Sequence, residues 1–152
     1  MTNYELKSTI SELLPGVGFE EATQWLTINV AAVDFHSLAT QLRLHKALAF
    51  DYLFCLTCID WKTHLTMVYH LDSTKFRHNI VLKVKLDVIN PVIDSVADIW
   101  KTADFHEREV YEMFGVDFTG HPDLRLLILP DGWEGKKPML KSFEDPINMI
   151  RL

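Results

Sequence analysis

Cysteine is almost absent from this chain of 152 residues, which has only Cys55 and Cys58. The common iron–sulfur clusters need four thiolate ligands, so a cluster of that type is excluded within this polypeptide. The two cysteines form a C-x-x-C pattern, which occurs in thiol redox sites and in half of some metal sites. Redox sites of this kind lie at helix N-termini, where the helix dipole lowers the pKa of the thiol.

The residues around the two cysteines favour a buried strand instead of a helix N-terminus, because residues 52–59 are almost entirely apolar. On a strand, residues three apart point to opposite faces and their Cα atoms lie about 10 Å apart. A disulfide requires a Cα separation below about 7 Å. We therefore predict that Cys55 and Cys58 are buried, reduced and inert.

Long apolar runs and an excess of basic residues are also missing. No apolar run reaches the roughly 18 residues that cross a bilayer, and residues 1–5 have no basic region leading into a hydrophobic one. We expect a soluble, non-secreted protein that meets a membrane only through another protein. The chain has 15 Lys and Arg against 21 Asp and Glu. Nucleic acid is not an expected partner, because binding to it needs a basic face.

Motifs of several enzyme classes are absent too. The chain has no G-x-S-x-G, no P-loop and no G-x-G-x-x-G, which excludes the serine-hydrolase elbow and two nucleotide-binding motifs. Residues 106–110 begin like the zinc helix H-E-x-x-H, but Val110 stands where the second histidine is needed. A free-standing metal hydrolase that uses His106, Glu109 and His121 stays as an alternative interpretation.

Hydrophobic periodicity predicts the elements of the fold. Helical spacing covers residues 3–14, and a second helix is expected from Asp34, as its N-cap, to Lys46. Alternation typical of strands covers residues 25–30, 64–71 and 79–86, and the apolar run of residues 52–59 predicts a buried strand. Short polar links between these runs favour antiparallel neighbours.

A third helix is expected to begin between Ser95 and Asp104 and to end the body of the molecule. The predicted fold class is α+β, with a mixed, mostly antiparallel sheet, helices packed on it and an extended C-terminal tail. The predicted division is a body of residues 1–120 and a tail of residues 121–152.

The third helix places a charge among apolar residues. At about 100° per residue, Ala103, Val110, Tyr111 and Phe114 share one apolar stripe, and Glu107 falls inside it. Isolating a carboxylate from water is costly unless a cation or several donors meet it. The sequence therefore predicts a buried or interfacial carboxylate with partners nearby.

Two interpretations of Glu107 remain open at this point. In one it forms a buried ion pair, with Arg108, His121 and Arg125 as the nearby candidates. In the other it belongs to a capping box with Asp104. In either case the helix is expected to end at Gly115, a residue that readily takes the left-handed conformation.

Three segments carry a resemblance to a known family. Residues 103–115 read Ala-Asp-x-x-Glu-Arg-Glu-x-Tyr-x-Met-Phe-Gly, residues 120–125 read Gly-His-Pro-Asp-Leu-Arg, and residues 133–135 read Trp-Glu-Gly. This pattern resembles the signature of the C subunit of respiratory complex I, the 30 kDa subunit family of NADH:quinone oxidoreductases. Residues 50–53 and 56–60 resemble the looser hydrophobic block that precedes the signature.

The resemblance implies a set of residues that organise the signature region. They are Glu107, Arg108, Glu109, Phe114, Gly115, His121, Pro122, Asp123, Arg125 and Trp133. The chain departs from the family pattern in two places. Leu126 stands where a second arginine is frequent, and residues 138–143 read Pro-Met-Leu-Lys-Ser-Phe where the family usually has Pro-Leu-Arg-Lys-Asp-Phe.

The resemblance also implies a function. It is that of a non-catalytic structural subunit in the peripheral arm of a proton-pumping NADH:quinone oxidoreductase, on the cytoplasmic side of a bacterial inner membrane. The expected partners are the homologues of the D and B subunits of complex I. No cofactor is expected in this chain, and FMN and iron–sulfur clusters are expected in partner subunits. An equivalent subunit of a membrane-bound hydrogenase or of a ferredoxin-dependent complex is the alternative within the family.

The tail combines proline with apolar residues. Four of the six prolines lie in residues 121–152, which argues against a long regular element there. The same segment is too apolar for a solvated arm; its apolar residues are Leu124, Leu126, Leu127, Ile128, Leu129, Trp133, Met139, Leu140, Phe143, Ile147, Met149, Ile150 and Leu152. We expect the tail to lie across another subunit. The alternative is that it wraps back over its own sheet.

Overall fold

The computed structural model describes residues 1–20 and 24–148. The elements in chain order are α1 (Asn3–Leu13), β1 (Gly18–Glu20), β2 (Leu26–Val30), α2 (Ala32–Leu44), β3 (Tyr52–Asp60), β4 (Leu65–Ser73), β5 (His78–Leu86), β6 (Val92–Asp94), α3 (Ala103–Phe114) and β7 (Asp117–Thr119). Each predicted helix and strand is present within a few residues of its expected bounds. After Thr119 the described residues, up to 148, contain turns but no helix or strand. The apolar tail residues Met149, Ile150 and Leu152 lie outside the described residues.

Five strands form the main sheet in the order β1-β2-β5-β4-β3. Three of the four pairings are antiparallel, and β2 and β5 run parallel. The predicted class, α+β with a mixed and mostly antiparallel sheet, is therefore confirmed. The strands of the parallel pair are distant in sequence, because α2, β3 and β4 lie between β2 and β5.

Short elements escaped the sequence pattern. The strands β1, β6 and β7 have three residues each, which is too short for an alternation to be recognised, and β6 pairs with β7 in a separate parallel pair. The N-cap prediction for the second helix was wrong. Ala31 is the N-cap of α2, and Asp34 lies in its first turn, where an acidic side chain also interacts favourably with the helix dipole.

The core lies on one face of the sheet. Inward side chains of β3, β4 and β5, such as Leu56, Tyr69 and Leu82, are buried together with apolar residues of all three helices. Two side chains fix the segment just before α3 against the start of β3 and the residue Phe50 that precedes it. The indole N–H of Trp100 donates to the Phe50 carbonyl at 2.9 Å, and the Thr102 hydroxyl donates to the Leu53 carbonyl at 2.7 Å.

A bulge in β3 lies just before the two cysteines. The register between β3 and β4 shifts between Leu53 and Cys55, so Phe54 is the extra residue. The prediction of two buried cysteines is right for Cys58 and wrong for Cys55, which is half-buried because the bulge changes the register beside it. Burial raises the pKa of Cys58 to about 12. This position gives the Cys58 thiol little thiolate character, in agreement with the predicted inert residue.

Candidate functional site

The site is built on α3 and on the segments that cross it. The buried side of the helix carries three charged residues, Glu107, Arg108 and Glu112, beside the apolar Val110 and Phe114. A helix side chain is rarely both charged and buried unless polar groups meet it. The three charged residues therefore define the place where the surrounding chain must supply donors and acceptors.

Gly115 ends α3 in the left-handed conformation, with φ at +76°, as the sequence predicted. The space beside Gly115 is also occupied by another part of the chain. A Cβ atom at Gly115 would collide with the side chain of Lys137, which the tail places over the end of the helix. Glycine is thus favoured here by backbone conformation and by the approach of the tail.

Glu107 is fully buried and accepts two hydrogen bonds from the segment that precedes α3. The Ser95 hydroxyl donates to Oε2 at 2.5 Å, and the Val96 amide donates to Oε1 at 2.8 Å. Burial raises the pKa of Glu107 to about 7, although these two hydrogen bonds and the nearby His121 act in the opposite direction. The carboxyl group therefore changes charge near neutral pH.

His121 connects α3 to the start of the tail. Its Nε2 lies 3.1 Å from the Asp104 carbonyl oxygen, 3.2 Å from Asp104 Oδ1 and 3.8 Å from Glu107 Oε2. Its Nδ1 accepts the amide N–H of Asp123 at 3.0 Å. Because Nδ1 is an acceptor, Nε2 carries the hydrogen and faces the carboxylates. Both ring nitrogens are engaged, which leaves neither free to bind a metal.

The two interpretations of Glu107 have different outcomes. The capping box is wrong, because Thr102 is the N-cap of α3, with helical backbone angles and no side-chain cap. Of the three candidate cations only His121 approaches Glu107. Arg108 lies one residue further along the helix, about 100° around its axis, and Arg125 pairs with Asp123 at 2.8 Å in an exposed position.

Arg108 instead binds the backbone of the tail. Its Nε donates to the carbonyl of Arg125 at 3.2 Å, and its Nη2 donates to the carbonyl of Leu126 at 2.7 Å. The guanidinium group also lies 5.4 Å from the ring centre of Phe105. The cation is thereby partly stabilised by carbonyl dipoles and by an aromatic face.

Glu112 was missed by the sequence reasoning. Its two carboxylate oxygens accept the amide N–H groups of Leu127, Ile128 and Leu129 at 2.9, 2.9 and 3.2 Å. The only sequence signal was that Glu112 follows Arg108 by four residues, on the same side of a helix. That spacing is usually explained by an ion pair within the helix, so it gave no hint of the tail.

Two further contacts bring the tail back to the body. The amide of Met139 donates to the Met113 carbonyl at 3.0 Å, and the amide of Lys141 donates to Asp60 Oδ2 at 2.8 Å. The tail therefore follows its own α3 and the end of β3. Several of its apolar side chains nevertheless face solvent, namely Leu127, Ile128, Met139 and Ile147.

The remaining predicted site residues are dispersed. Glu109 and Pro122 are exposed, and His106 is half-buried. Trp133 is half-buried. The centre of its ring lies 6.4 Å from the ring centre of Phe143 and 4.3 Å from the ammonium nitrogen of Lys136. Within residues 1–20 and 24–148, no three His, Cys, Asp or Glu side chains are grouped so that they could hold a metal ion. None of the helices in the described part of the chain is long and apolar enough to cross a membrane.

These features define a class, the small α+β domains that bind an extended C-terminal segment along their last helix. Residues 28–146 match the family described as the respiratory-chain NADH dehydrogenase 30 kDa subunit. The chain belongs to this family.

Relatives and solved structures agree with that membership. The chain is 41% identical over 127 residues to the NADH-quinone oxidoreductase C/D subunit of Phocaeicola vulgatus, covering 82% of this chain and 24% of the relative. It is 40% identical over 112 residues to the NADH-quinone oxidoreductase C subunit of Chloroherpeton thalassium, covering 72% of this chain and 46% of the relative. The chain thus spans less than half the length of these two relatives.

Two solved structures have the same fold. A trypsin-resistant fragment of Nqo5 superposes with a TM-score of 0.68 at 26% identity, covering 81% of this chain and 100% of that one. A chain of the membrane-bound sulfane sulfur reductase, an archaeal respiratory membrane complex, superposes with a TM-score of 0.79 at 27% identity, covering 93% and 85%.

Proposed function

We propose that this chain is a non-catalytic structural subunit in the peripheral arm of a proton-pumping NADH:quinone oxidoreductase. It supports the quinone-binding D-subunit homologue and lies near the B-subunit homologue. The chain itself holds no cofactor, and FMN and the iron–sulfur clusters belong to partner subunits. It meets the bacterial inner membrane only through those partners, on the cytoplasmic side.

The observation that carries this proposal is the orientation of the tail. Its backbone is bonded to α3 and β3, whereas Ile128 is 60% exposed and Met139 is 58% exposed. Aliphatic side chains held outward on an ordered backbone are typical of a surface that another protein covers. Part of the tail thus packs on its own body, with Leu124 and Leu140 against the core, while Ile128 and Met139 stay available to another subunit.

The choice of partner is supported by a relative. In Phocaeicola vulgatus the matching region is part of a longer protein that is named as a C/D subunit. Joining two subunits in one polypeptide keeps them at high effective concentration, which favours an interface between them. We therefore assign the outward face of the tail to the D-subunit homologue.

The test is co-purification from the native host. A chain truncated after Pro130 loses the anchors at Met139 and Lys141, and it should fold but no longer co-purify with the D-subunit homologue. The variant Ile128→Asp should fold normally and also lose co-purification, because a carboxylate would be buried in an apolar contact.

The matched control is Val33→Asp on α2, where the side chain is 88% exposed. This variant introduces the same charge on another surface, and it should assemble at the normal yield. Normal assembly of both tail variants would contradict the proposed role of the tail.

A second candidate has a specific observation in its favour, namely the similarity to a chain of an archaeal respiratory membrane complex. In this case the chain would have the same structural role in a membrane-bound hydrogenase or a ferredoxin-dependent complex. The proteins that remain attached after gentle detergent extraction separate the candidates. An FMN-containing NADH-oxidising partner supports the first, and a hydrogenase or ferredoxin-oxidising partner supports the second.

A further inference from the structure

Arg108 and Glu112 bind the carbonyl groups and the amide groups, respectively, of one short backbone segment, residues 125–129. The two residues are one helical turn apart, and both are buried, at 7% and 3% exposure. Arg108 binds the carbonyls of Arg125 and Leu126, and Glu112 binds the amides of residues 127–129. A cation thus meets carbonyl oxygens and an anion meets N–H groups, which is the favourable arrangement in both cases.

These five hydrogen bonds determine what the segment can offer to another molecule. A strand that joins a partner's sheet does so through its own amide and carbonyl groups. Here the amides of residues 127–129 are already used by Glu112, and the carbonyls of residues 125 and 126 are used by Arg108. The side chains stay available, with Leu127 39% exposed and Ile128 60% exposed.

We propose that Arg108 and Glu112 form a clamp that shapes residues 125–129 in the free chain, so that the partner contacts their aliphatic side chains through an apolar pocket and not through strand pairing. This inference rests on the proposed function for the identity of the partner. It adds the mode of recognition and two positioning residues.

The clamp lowers the entropic cost of docking. Ordering a flexible segment on binding weakens affinity, because each residue that becomes fixed loses conformational freedom. A segment that is already ordered avoids most of this loss. Met139, whose amide is bonded to the Met113 carbonyl, would extend the same apolar surface, since it returns to the end of α3.

The experiment combines amide hydrogen exchange of the free full-length chain with binding to the purified D-subunit homologue of the same organism. In the wild-type chain the amides of residues 127–129 should exchange slowly. In Glu112→Ala they should lose this protection while the amides of β4 keep theirs, and affinity should fall roughly tenfold to a hundredfold. Glu112→Gln should retain part of the amide protection and part of the affinity, because its carbonyl oxygen can still accept a hydrogen bond.

Two variants separate shaping from contact. Ile128→Asp should keep the protection of residues 127–129 but lose binding. Glu12→Ala is the matched control, because Glu12 is an exposed glutamate on α1, and it should behave as the wild type in both measurements.

The outcomes distinguish the inference from the proposed function. Fast exchange of residues 127–129 in the wild type, or normal affinity of Glu112→Ala, overturns the clamp. Tighter binding of Glu112→Ala would mean that the released amides pair with the partner, and it overturns recognition by side chains. A wild-type chain with protected amides that does not bind the D-subunit homologue overturns the proposed function and, with it, the partner named here.

Discussion

The Oε2 atom of Glu107 lies 3.8 Å from Nε2 of His121, and neither side chain is exposed to solvent. This contact joins α3 to the first residues of the tail. On one side of it, Ser95 and Val96 donate to the same carboxylate. On the other side, Asp123 donates to His121. One buried carboxyl group therefore organises three separate parts of the chain.

The charge of Glu107 should make stability depend on pH. Its pKa is raised from an ordinary value of 4.5 to about 7, so the folded state binds this proton more tightly than the unfolded state. The contribution of Glu107 to the free energy of unfolding is therefore greatest below about pH 4.5, falls as the pH rises to about 7 and is constant above. Across this window the loss should be on the order of 3 kcal/mol.

Denaturant unfolding of the wild type and of Glu107→Gln, from pH 5 to pH 8.5, measures this effect. Glutamine remains neutral, so the variant should gain stability relative to the wild type as the pH rises. Taking the difference between the two chains cancels the other carboxyl groups, such as Glu20, whose pKa is lowered chiefly by its hydrogen bond with Lys83. A difference that is constant with pH would show that Glu107 does not titrate in this range.

Removing the Ser95 hydroxyl should destabilise the fold. Ser95→Ala loses the hydrogen bond to Glu107 and the acceptor for the Ala97 amide, so the free energy of unfolding should fall by about 1–3 kcal/mol. The loss should be larger at pH 8 than at pH 5, because the hydroxyl stabilises the charged form of Glu107. Thermal unfolding at both pH values checks this.

Ser142→Ala provides the comparison, since Ser142 is exposed in the tail, and it should leave the unfolding temperature nearly unchanged. An equal loss at both pH values for Ser95→Ala would argue that the hydroxyl does not act on the charge of Glu107.

Gly115→Ala should lower the free energy of unfolding by more than the strain of the left-handed conformation alone. The backbone term is about 1–2 kcal/mol for a residue with a Cβ, and the Cβ would also displace Lys137. Gly16 is the matched control, because its φ is +88° and nothing lies within 4 Å of its added Cβ. In equilibrium unfolding, Gly16→Ala should therefore lose only the free energy that the backbone strain costs.

Combining Gly115→Ala with Lys137→Ala should bring the cost back toward that of Gly16→Ala, since the obstructing side chain is removed. If the single substitutions at Gly115 and Gly16 cost the same, then Lys137 does not lie over the end of α3 in solution.

Cys58 should be unreactive in the folded chain. Its pKa is raised to about 12, first by burial and then by the charge of Asp60, so almost no thiolate is present at pH 8. Cys55→Ser leaves Cys58 as the one thiol. With an aromatic disulfide reagent, whose coloured thiolate product reports reacted thiols, the folded variant should not react until denaturant is added. Rapid reaction of the folded variant would mean that β3 opens at this position.

Local periodicity was enough for much of the architecture. Long amphipathic segments such as residues 3–13 and 78–86 repeat a helical or strand pattern several times, so their type was predictable. Elements of three residues, such as β6, repeat nothing and were missed. The pairing of β2 with β5 was not predictable either, because it depends on the order in which distant strands meet.

The sequence by itself determined that Glu107 would be buried and that Gly115 would end the helix, because both follow from the rotation of about 100° per residue and from the freedom of glycine. Only the tertiary structure decided which groups meet the buried charges. Ser95 and His121 reach Glu107, and residues 127–129 reach Glu112, because the chain crosses α3 from both sides. Such crossings depend on how the whole chain packs, and no pattern within one helix contains that information.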